Sequence, residues 1–457
     1  MTPHLSVTHR SQTVAYPFFV AAAALFLLQV IFGLVIAAQY VRPTFLLNTL
    51  PFNFGRASHL NLMVFWLLLG LMGATYYLVP DESDSEIWSV PLAWANLVIL
   101  LVAGVGALAT YWFLGVAKGK PFTEAPMPWP LVIALGVVLF LVNVFVTLFR
   151  ARRWNAITFV LAFGLAGLTV LYLLDLPRFD NLTVDYYWWW WIIHLWVEGT
   201  WEIIASAIMA YLLLKLTGAD RGRLSKWLYA EVALVLFTGI VGIGHHYYWI
   251  GTPRYWLLWG AVFSAFEPLP LVLMVWDTFA QARRRHTQPA NPTVWYWLGG
   301  SAIGHLVGAG VWGFSITLPQ INKWTHGTQV TSSHGHFAFF GAFAMLVLAA
   351  MYYMVPRLRG MERWAERRSQ WAFWLMSAGM LTIVLAFTIA GVVQTYLVRL
   401  LGMDFMTVRT TYVAFWIFWV WAAGLVVFLP GVVLFLWDFF AGKAPAGEAA
   451  RAAPIAL

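Results

Sequence analysis

The chain has 457 residues, 61% of them hydrophobic and only 10% charged, with a mean hydropathy of +0.75. These proportions exclude a soluble globular domain and a disordered chain, and place the sequence among polytopic helical membrane proteins. The net charge of +8 is spread over loops rather than gathered in one basic stripe, so nucleic acid is not an expected partner, and the absence of cysteine excludes disulfides, thiolate-bound clusters and haem attached through Cys-x-x-Cys-His.

Apolar windows of about twenty residues, the length that crosses a hydrocarbon layer, predict helices near 16–40, 58–79, 90–115, 130–149, 155–175 and 186–217, then 225–247, 257–280, 294–317, 327–355, 370–397 and 410–437. That makes about twelve transmembrane helices in an all-α membrane protein. The connections are short and carry breakers such as Pro80, Pro121, Pro177, Pro253, Pro292, Pro319 and Pro356. With no linker to divide it, the chain reads as a single transmembrane domain, 1–457, with short tails at 1–15 and 441–457. The first apolar run is too long for a signal-peptide core and reads as a retained helix.

One set of alternate loops is the richer in basic residues, with Arg150, Arg152 and Arg153; Lys215, Arg221, Arg223 and Lys226; Arg283 to Arg285; Arg357, Arg359, Arg363, Arg367 and Arg368, while the opposite set holds only Arg42, Arg56, Lys118, Lys120, Arg178, Arg254, Lys323, Arg399 and Arg409. Cytoplasmic loops retain Lys and Arg, so the richer set faces inward, and both termini are expected in the cytoplasm. The loop with Asp81, Glu82, Asp84 and Glu86 is acidic on that basic side and reads as a solvated turn. The aromatic run Tyr186 to Trp191 marks the outer interface, where amphipathic rings settle.

Six histidines, His59, His194, His245, His246, His334 and His336, sit within apolar segments, and Glu198 follows His194 by one helical turn. Ionisable side chains at membrane depth cost several kcal/mol unless something binds them. The orientation puts all six towards the outer face. His194 and Glu198 are i and i+4, share a helix face, and can join His245 and His246 on one metal as three nitrogens and one oxygen. An added carboxylate suits iron better than Cu(I). His334 and His336, i and i+2, point about 200° apart around a helix of 3.6 residues per turn, so one helix can serve two cofactors. Two imidazoles saturate a haem iron for electron transfer, whereas one leaves a position open for chemistry. His59 can supply the second ligand to one of them.

The sequence resembles the catalytic (large) subunits of bacterial cytochrome c-dependent nitric oxide reductases, a divergent branch of the haem-copper oxidase superfamily. The resemblance runs along nearly the whole chain. It rests on His-Leu-Trp-Val-Glu-Gly at 194–199, Gly-His-His-Tyr-Tyr-Trp-Ile-Gly-Thr-Pro at 244–253, Phe-Ser-Ala-Phe-Glu-Pro-Leu-Pro at 263–270 and His-Gly-Thr-Gln-Val-Thr-Ser-Ser-His-Gly-His at 326–336. It implies a bundle like subunit I of the oxidases, with His59 and His336 on low-spin haem b, His334 on high-spin haem b3, and His194, His245, His246 and Glu198 on the non-haem iron FeB. It further implies that Glu267 and Glu202 shape the site and deliver protons. Family members also hold a calcium ion through a glutamate after helix three; here Lys-Pro-Phe-Thr-Glu at 120–124 keeps Glu124 but has Pro121 where that ligand belongs.

The oxidases of the superfamily bind copper and carry a tyrosine one turn after the histidine matching His194, where this chain has Glu198. The implied activity is reduction of two NO to N2O and water in the bacterial cytoplasmic membrane. Electrons would come from a membrane-anchored cytochrome c subunit, and the active site and proton uptake would lie towards the periplasm. The rival expectations are a terminal oxidase reducing O2, a quinol-fed nitric oxide reductase, and a proton-coupled transporter using the buried His and Glu as relays. His305, outside any motif, reads as a packed histidine.

Overall fold

The computed structural model describes residues 7–266, 268–285, 291–361, 364 and 366–441, and among these the chain is helical without strands. Ten helices are long and apolar enough to span a membrane, or eleven if one bent pair counts as a span. They are α1 (Arg10–Val41), α2 (Phe52–Ser83), α3 (Val90–Leu114), α4 (Trp129–Ala151), α5 (Ala156–Leu174), α6 (Leu182–Thr217) and α7 (Arg221–His246). After the shorter α8 (Tyr255–Phe263) and α9 (Leu269–Arg284) come α10 (Pro292–Thr317), α11 (Pro319–Thr325), α12 (Gln329–Leu358), α13 (Glu366–Leu400) and α14 (Phe405–Ala441).

Two places bear on the twelve expected spans: one is broken by proline, and the other turns at a proline that the sequence already marks as a breaker. The run expected at 257–280 ends as a helix at Phe263 and restarts at Leu269, where Pro268 precedes the first turn and Pro270 lies within it. Neither ring can donate to a continuing ladder. The run expected at 294–317 passes Leu318 and turns by 91° into α11, which Pro319 opens.

Contacts divide the chain into two compact units, one built from 7–22 with the described part of 67–291, the other from 23–66 with the described part of 292–457. In the first, α3 packs on α4, and α6 packs on α5 and α7. Its acidic loop is not the solvated turn expected. The Glu82 carboxylate takes Arg221 in a bidentate pair at 2.7 and 3.0 Å and Nδ2 of Asn155 at 3.0 Å. Asp81 takes Lys215 at 2.7 Å and the Tyr211 hydroxyl at 2.7 Å, and Asp84 pairs with Arg153. Asp81, Glu82 and Asp84 each answer a base from a distant loop, while Glu86 accepts from the backbone N–H groups of Arg10 and Ser11, partners that no local reading of the turn could show.

In the second unit α12 packs on α13 and α10, and α13 packs on α14. Buried Asp438 is the polar anchor here, accepting from Arg368 Nε at 2.5 Å, Ser369 Oγ at 2.7 Å and the Tyr352 hydroxyl at 3.2 Å. Several helices carry a widened π turn, among them Trp196–Trp201 in α6, Gly304–Trp312 in α10 and Phe339–Ala344 in α12. Such turns insert a residue into the ladder, re-aim side chains and gather at functional sites.

Candidate metal centre

In the first unit, α6 brings His194 to the face that meets the end of α7. The helix then widens at Trp196, so Glu198 lies inside the π turn. After Gly242 the ladder of α7 tightens into a 3-10 turn, Ile243–His246, which presents the two adjacent histidines together. That turn lies against α8 because two glycines allow it: a Cβ on Gly260 would stand 2.3 Å from the His245 nitrogen, and one on Gly244 would stand 2.5 Å from the Trp256 carbonyl. The motif glycine before His245-His246 is therefore a close backbone approach that no other residue permits.

The four expected ligands converge. One donor atom from each of His194, Glu198, His245 and His246 lies within 4.8 Å of all the others. Glu198 Oε2 is 3.4 Å from His194 Nδ1 and 3.8 Å from His245 Nε2, while Oε1 is 3.5 Å from His246 Nε2. Atoms bound about 2 Å from one ion stand roughly 3–4 Å apart, a range the three distances from Glu198 to the histidines meet. His194 is 1% exposed.

The surroundings fix two of the rings. Ser264 Oγ donates to the Gly260 carbonyl at 2.7 Å, so it receives the His245 Nδ1–H, also at 2.7 Å. That assigns the proton to Nδ1 and leaves Nε2 as the ligand atom, the usual outer hydrogen bond of a metal-bound imidazole. Trp190 stacks on His246 with ring centroids 4.3 Å apart and planes at 17°. Ser264 lies within one of the family motifs, but its role is not legible there because its partner is on another helix.

In the second unit, His59 of α2 and His336 of α12 face each other with ring centroids 6.2 Å apart at 27°. Two nitrogen–metal bonds of about 2 Å plus two half-rings give nearly this span, so the pair fits the two axial positions of one haem. Each Nδ1 is spoken for by a backbone carbonyl, Gln29 at 2.9 Å for His59 and Ser332 at 2.8 Å for His336, which leaves both Nε2 atoms as acceptors. Gly33 makes room for the first ring, since a Cβ there would be 2.9 Å from His59 Cε1. His334, two residues before His336, turns the other way, its Nδ1 lying 3.1 Å from the Gly308 carbonyl in the π turn of α10. The expected divergence of the i and i+2 rings is thus realised.

Glu202 is buried at 6% exposure one turn beyond Glu198, and is not part of the ligand set. Glu124 is buried at 3% exposure in the segment between α3 and α4, and among the described residues no group of three His, Asp or Glu forms around it. Glu267 lies outside the described residues. His305 is packed as expected, with Nδ1 donating to the Ser301 carbonyl at 2.9 Å. A carboxylic residue that sequence reasoning missed, Glu231 of α7, is 1% exposed. Its signal is present, since one acid interrupts the apolar run Leu-Tyr-Ala-Glu-Val-Ala-Leu.

Residues 13–429 match the family described as cytochrome c and quinol oxidase polypeptide I. The chain is 41% identical over 473 aligned residues, covering 99% of both sequences, to a nitric oxide reductase subunit of Stutzerimonas stutzeri. It is 22% identical to a cytochrome c oxidase subunit 1 homolog of Agrobacterium tumefaciens (strain T37), over 80% of this chain and 71% of that one. Among solved structures, a cryo-EM structure of a haem-copper terminal oxidase dimer shares the fold with a TM-score of 0.79 at 16% identity, covering 96% of this chain and 86% of that one.

Proposed function

The chain belongs to the cytochrome c and quinol oxidase polypeptide I family, and we propose that within it the chain is the catalytic subunit of a nitric oxide reductase, turning two NO, two electrons and two protons into N2O and water. The observation that carries this reading is the quartet His194, His245, His246 and Glu198. Three imidazoles alone would suit copper as well as iron, and it is the carboxylate among them that favours iron. Glu198 stands where the oxidases have their tyrosine, and NO reduction, which breaks no O–O bond, has no use for that residue.

His59 and His336 would hold low-spin haem b, His334 high-spin haem b3, and the quartet FeB. Bound there, the haems and the non-haem iron would pass electrons from a cytochrome c partner subunit to NO and act as Lewis acids while the N–N bond forms. The protein's own part is binding, orientation and proton supply. Held by both His59 and His336, the first haem would be closed to substrate and suited to passing electrons, whereas a haem held by His334 alone would be open to NO. Glu198 offsets the charge of the metal it holds. Ser264 and Trp190 hold two of the rings in their binding orientation. Glu202, one turn further along α6, and Glu267 supply protons to the site. Glu124, which the resemblance would place near a calcium ion, has no cluster of acids around it among the described residues and does not by itself fit that ion.

The multi-pass helices place the protein in a membrane. The loop charges support the bacterial cytoplasmic membrane, with both termini inside and the ligand cluster towards the periplasm. An anaerobic NO-consumption assay on the purified complex tests the reading: consumption with N2O release supports it, and an enzyme that ignores NO but reduces O2 with bound copper overturns it.

A further inference from the structure

Two helices long enough to span a membrane meet at the three-residue turn 218–220, where α6 ends at Thr217 and α7 begins at Arg221. The last turn of α9, which packs on α7, reaches the same place. A cavity of about 370 Å³ lies there, lined by Asp220, Arg223, Gln281, Arg284 and Arg285. Its arginines are oriented from behind without being used up. Arg223 Nη1 is 3.3 Å from Asp277 Oδ1, and the other oxygen of that carboxylate accepts from Trp227 Nε1 at 3.2 Å and Gln281 Nε2 at 3.1 Å. Arg285 Nη1 donates to the Gly218 carbonyl at 2.9 Å. Arg284 is exposed, and among the described residues no acceptor meets it. A guanidinium carries five N–H donors, so each of the three keeps some for an anion. Three guanidinium groups stand against the carboxylates of Asp220 and Asp277, a surplus of one positive charge. A phosphodiester, with one negative charge, balances it.

Away from the cavity the same two helix faces turn apolar. On α7 the positions in line with Arg223 are Trp227, Ala230, Leu234 and Phe237, all half-buried or exposed. On α9, exposed Leu273 lies three turns from Arg284 on one face, with Leu269 a turn further and Trp276 beside it 75% exposed. A soluble anion has no use for such flanks, whereas acyl chains do.

We infer that this cavity binds an anionic phospholipid, its phosphodiester among Arg223, Arg284 and Arg285 and its acyl chains along the apolar stripes of α7 and α9. The end concerned is the one whose loops carry the surplus of Lys and Arg, cytoplasmic on the reading proposed above, and anionic lipid gathers in that leaflet, where basic pockets between helices take its headgroups. Arg223 and His245 are separated by roughly 33 Å along α7 at 1.5 Å per residue. The lipid therefore touches no metal ligand, and the site stands whatever reaction the quartet performs.

Native mass spectrometry of the full complex, stripped of lipid in detergent and titrated with dioleoylphosphatidylglycerol, dioleoylphosphatidylcholine or inorganic phosphate, tests this. The wild type should hold a phosphatidylglycerol that phosphatidylcholine does not replace and inorganic phosphate does not displace. One basic charge at a membrane surface is worth roughly fivefold in affinity for anionic lipid, so Arg284→Gln should bind phosphatidylglycerol about fivefold more weakly and Arg284→Glu about twenty-five-fold. Leu273→Asn should weaken it too, whereas Arg152→Gln, which removes a charge from another loop, should not. Equal binding of the two lipids, unchanged affinity in Arg284→Glu, or an equal loss in Arg152→Gln overturns the proposal. Displacement by inorganic phosphate, or full affinity in Leu273→Asn, overturns the lipid and leaves a site for a soluble anion. Circular dichroism of each variant should match the wild type, and should Arg284→Glu fail to assemble, Arg284→Gln decides.

Discussion

The quartet of the first unit and the His59–His336 pair of the second use the same side chain for opposite ends. In the quartet, the ligands come from neighbouring elements of the chain, and the helices are deformed to bring them together: a π turn at Glu198, a 3-10 turn at His245 and His246, and behind them a glycine whose Cβ, if it had one, would stand 2.3 Å from the backbone. The donor set is mixed, three nitrogens and a carboxylate. In the pair, the ligands come from distant parts of the chain, both rings are held by backbone carbonyls, and the donor set is two imidazoles with no carboxylate. The difference teaches that ligand number and charge, rather than the presence of histidine, separate an open metal site from a closed one.

The comparison is broken most sharply at Glu198. Replacing it by alanine removes the one anionic donor, and metal analysis of the purified variant should show the non-haem iron lost with both haems kept, NO reduction falling by more than about a hundredfold, the upper range for even an outer partner of a metal. The converse change, His336→Ala or His59→Ala, should remove the low-spin haem band from the optical spectrum and leave the quartet's iron in place. Either loss spreading to the other site would show that the two are not separately built.

A finer change tests the outer support. Ser264→Ala removes the acceptor for His245 Nδ1–H while leaving all four ligands, and iron affinity should fall by roughly 10–100-fold without loss of haem. No equivalent single side chain exists for His59 or His336, whose partners are backbone carbonyls, so side-chain substitutions at Gln29 or Ser332 should leave the haem bound.

A last effect, on stability rather than on metal binding, lies outside both sites. Asp175, just past the end of α5, is buried, and that burial pushes its carboxyl from 3.8 up to about 6 against the opposing pull of Arg178 and Lys118. The folded protein therefore holds the proton more tightly than the unfolded chain, so this contribution is complete below pH 3.8 and is lost as pH rises through about 6. Thermal melting in detergent should show the decline, on the order of 2–3 kcal/mol for a shift of about two units, and Asp175→Asn should remove it.

Much of this is legible in the sequence. Hydropathy locates the helices because lipid demands continuous apolar length, and the spacing His194–Glu198 and His245–His246 carries the quartet because neighbouring turns hold all four. The break inside the run expected at 257–280 escapes because averaging over a window hides Pro268, although that proline is in view, whereas Pro319 is read in advance as the breaker after 294–317. A π turn leaves no trace in apolar periodicity. The ion pairs of Glu82 and the hydrogen bond from His245 to Ser264 are tertiary; Arg221 lies 139 residues from Glu82, and nothing near the acid announces it.

The central claim is that three imidazoles and the Glu198 carboxylate hold iron. Iron, copper and haem should be counted together on the purified complex, with and without Glu198→Ala. The account predicts one non-haem iron for every two haems, no stoichiometric copper, and loss of that iron alone in the variant. Copper in equal amount to haem, or iron unchanged when Glu198 is removed, would contradict it.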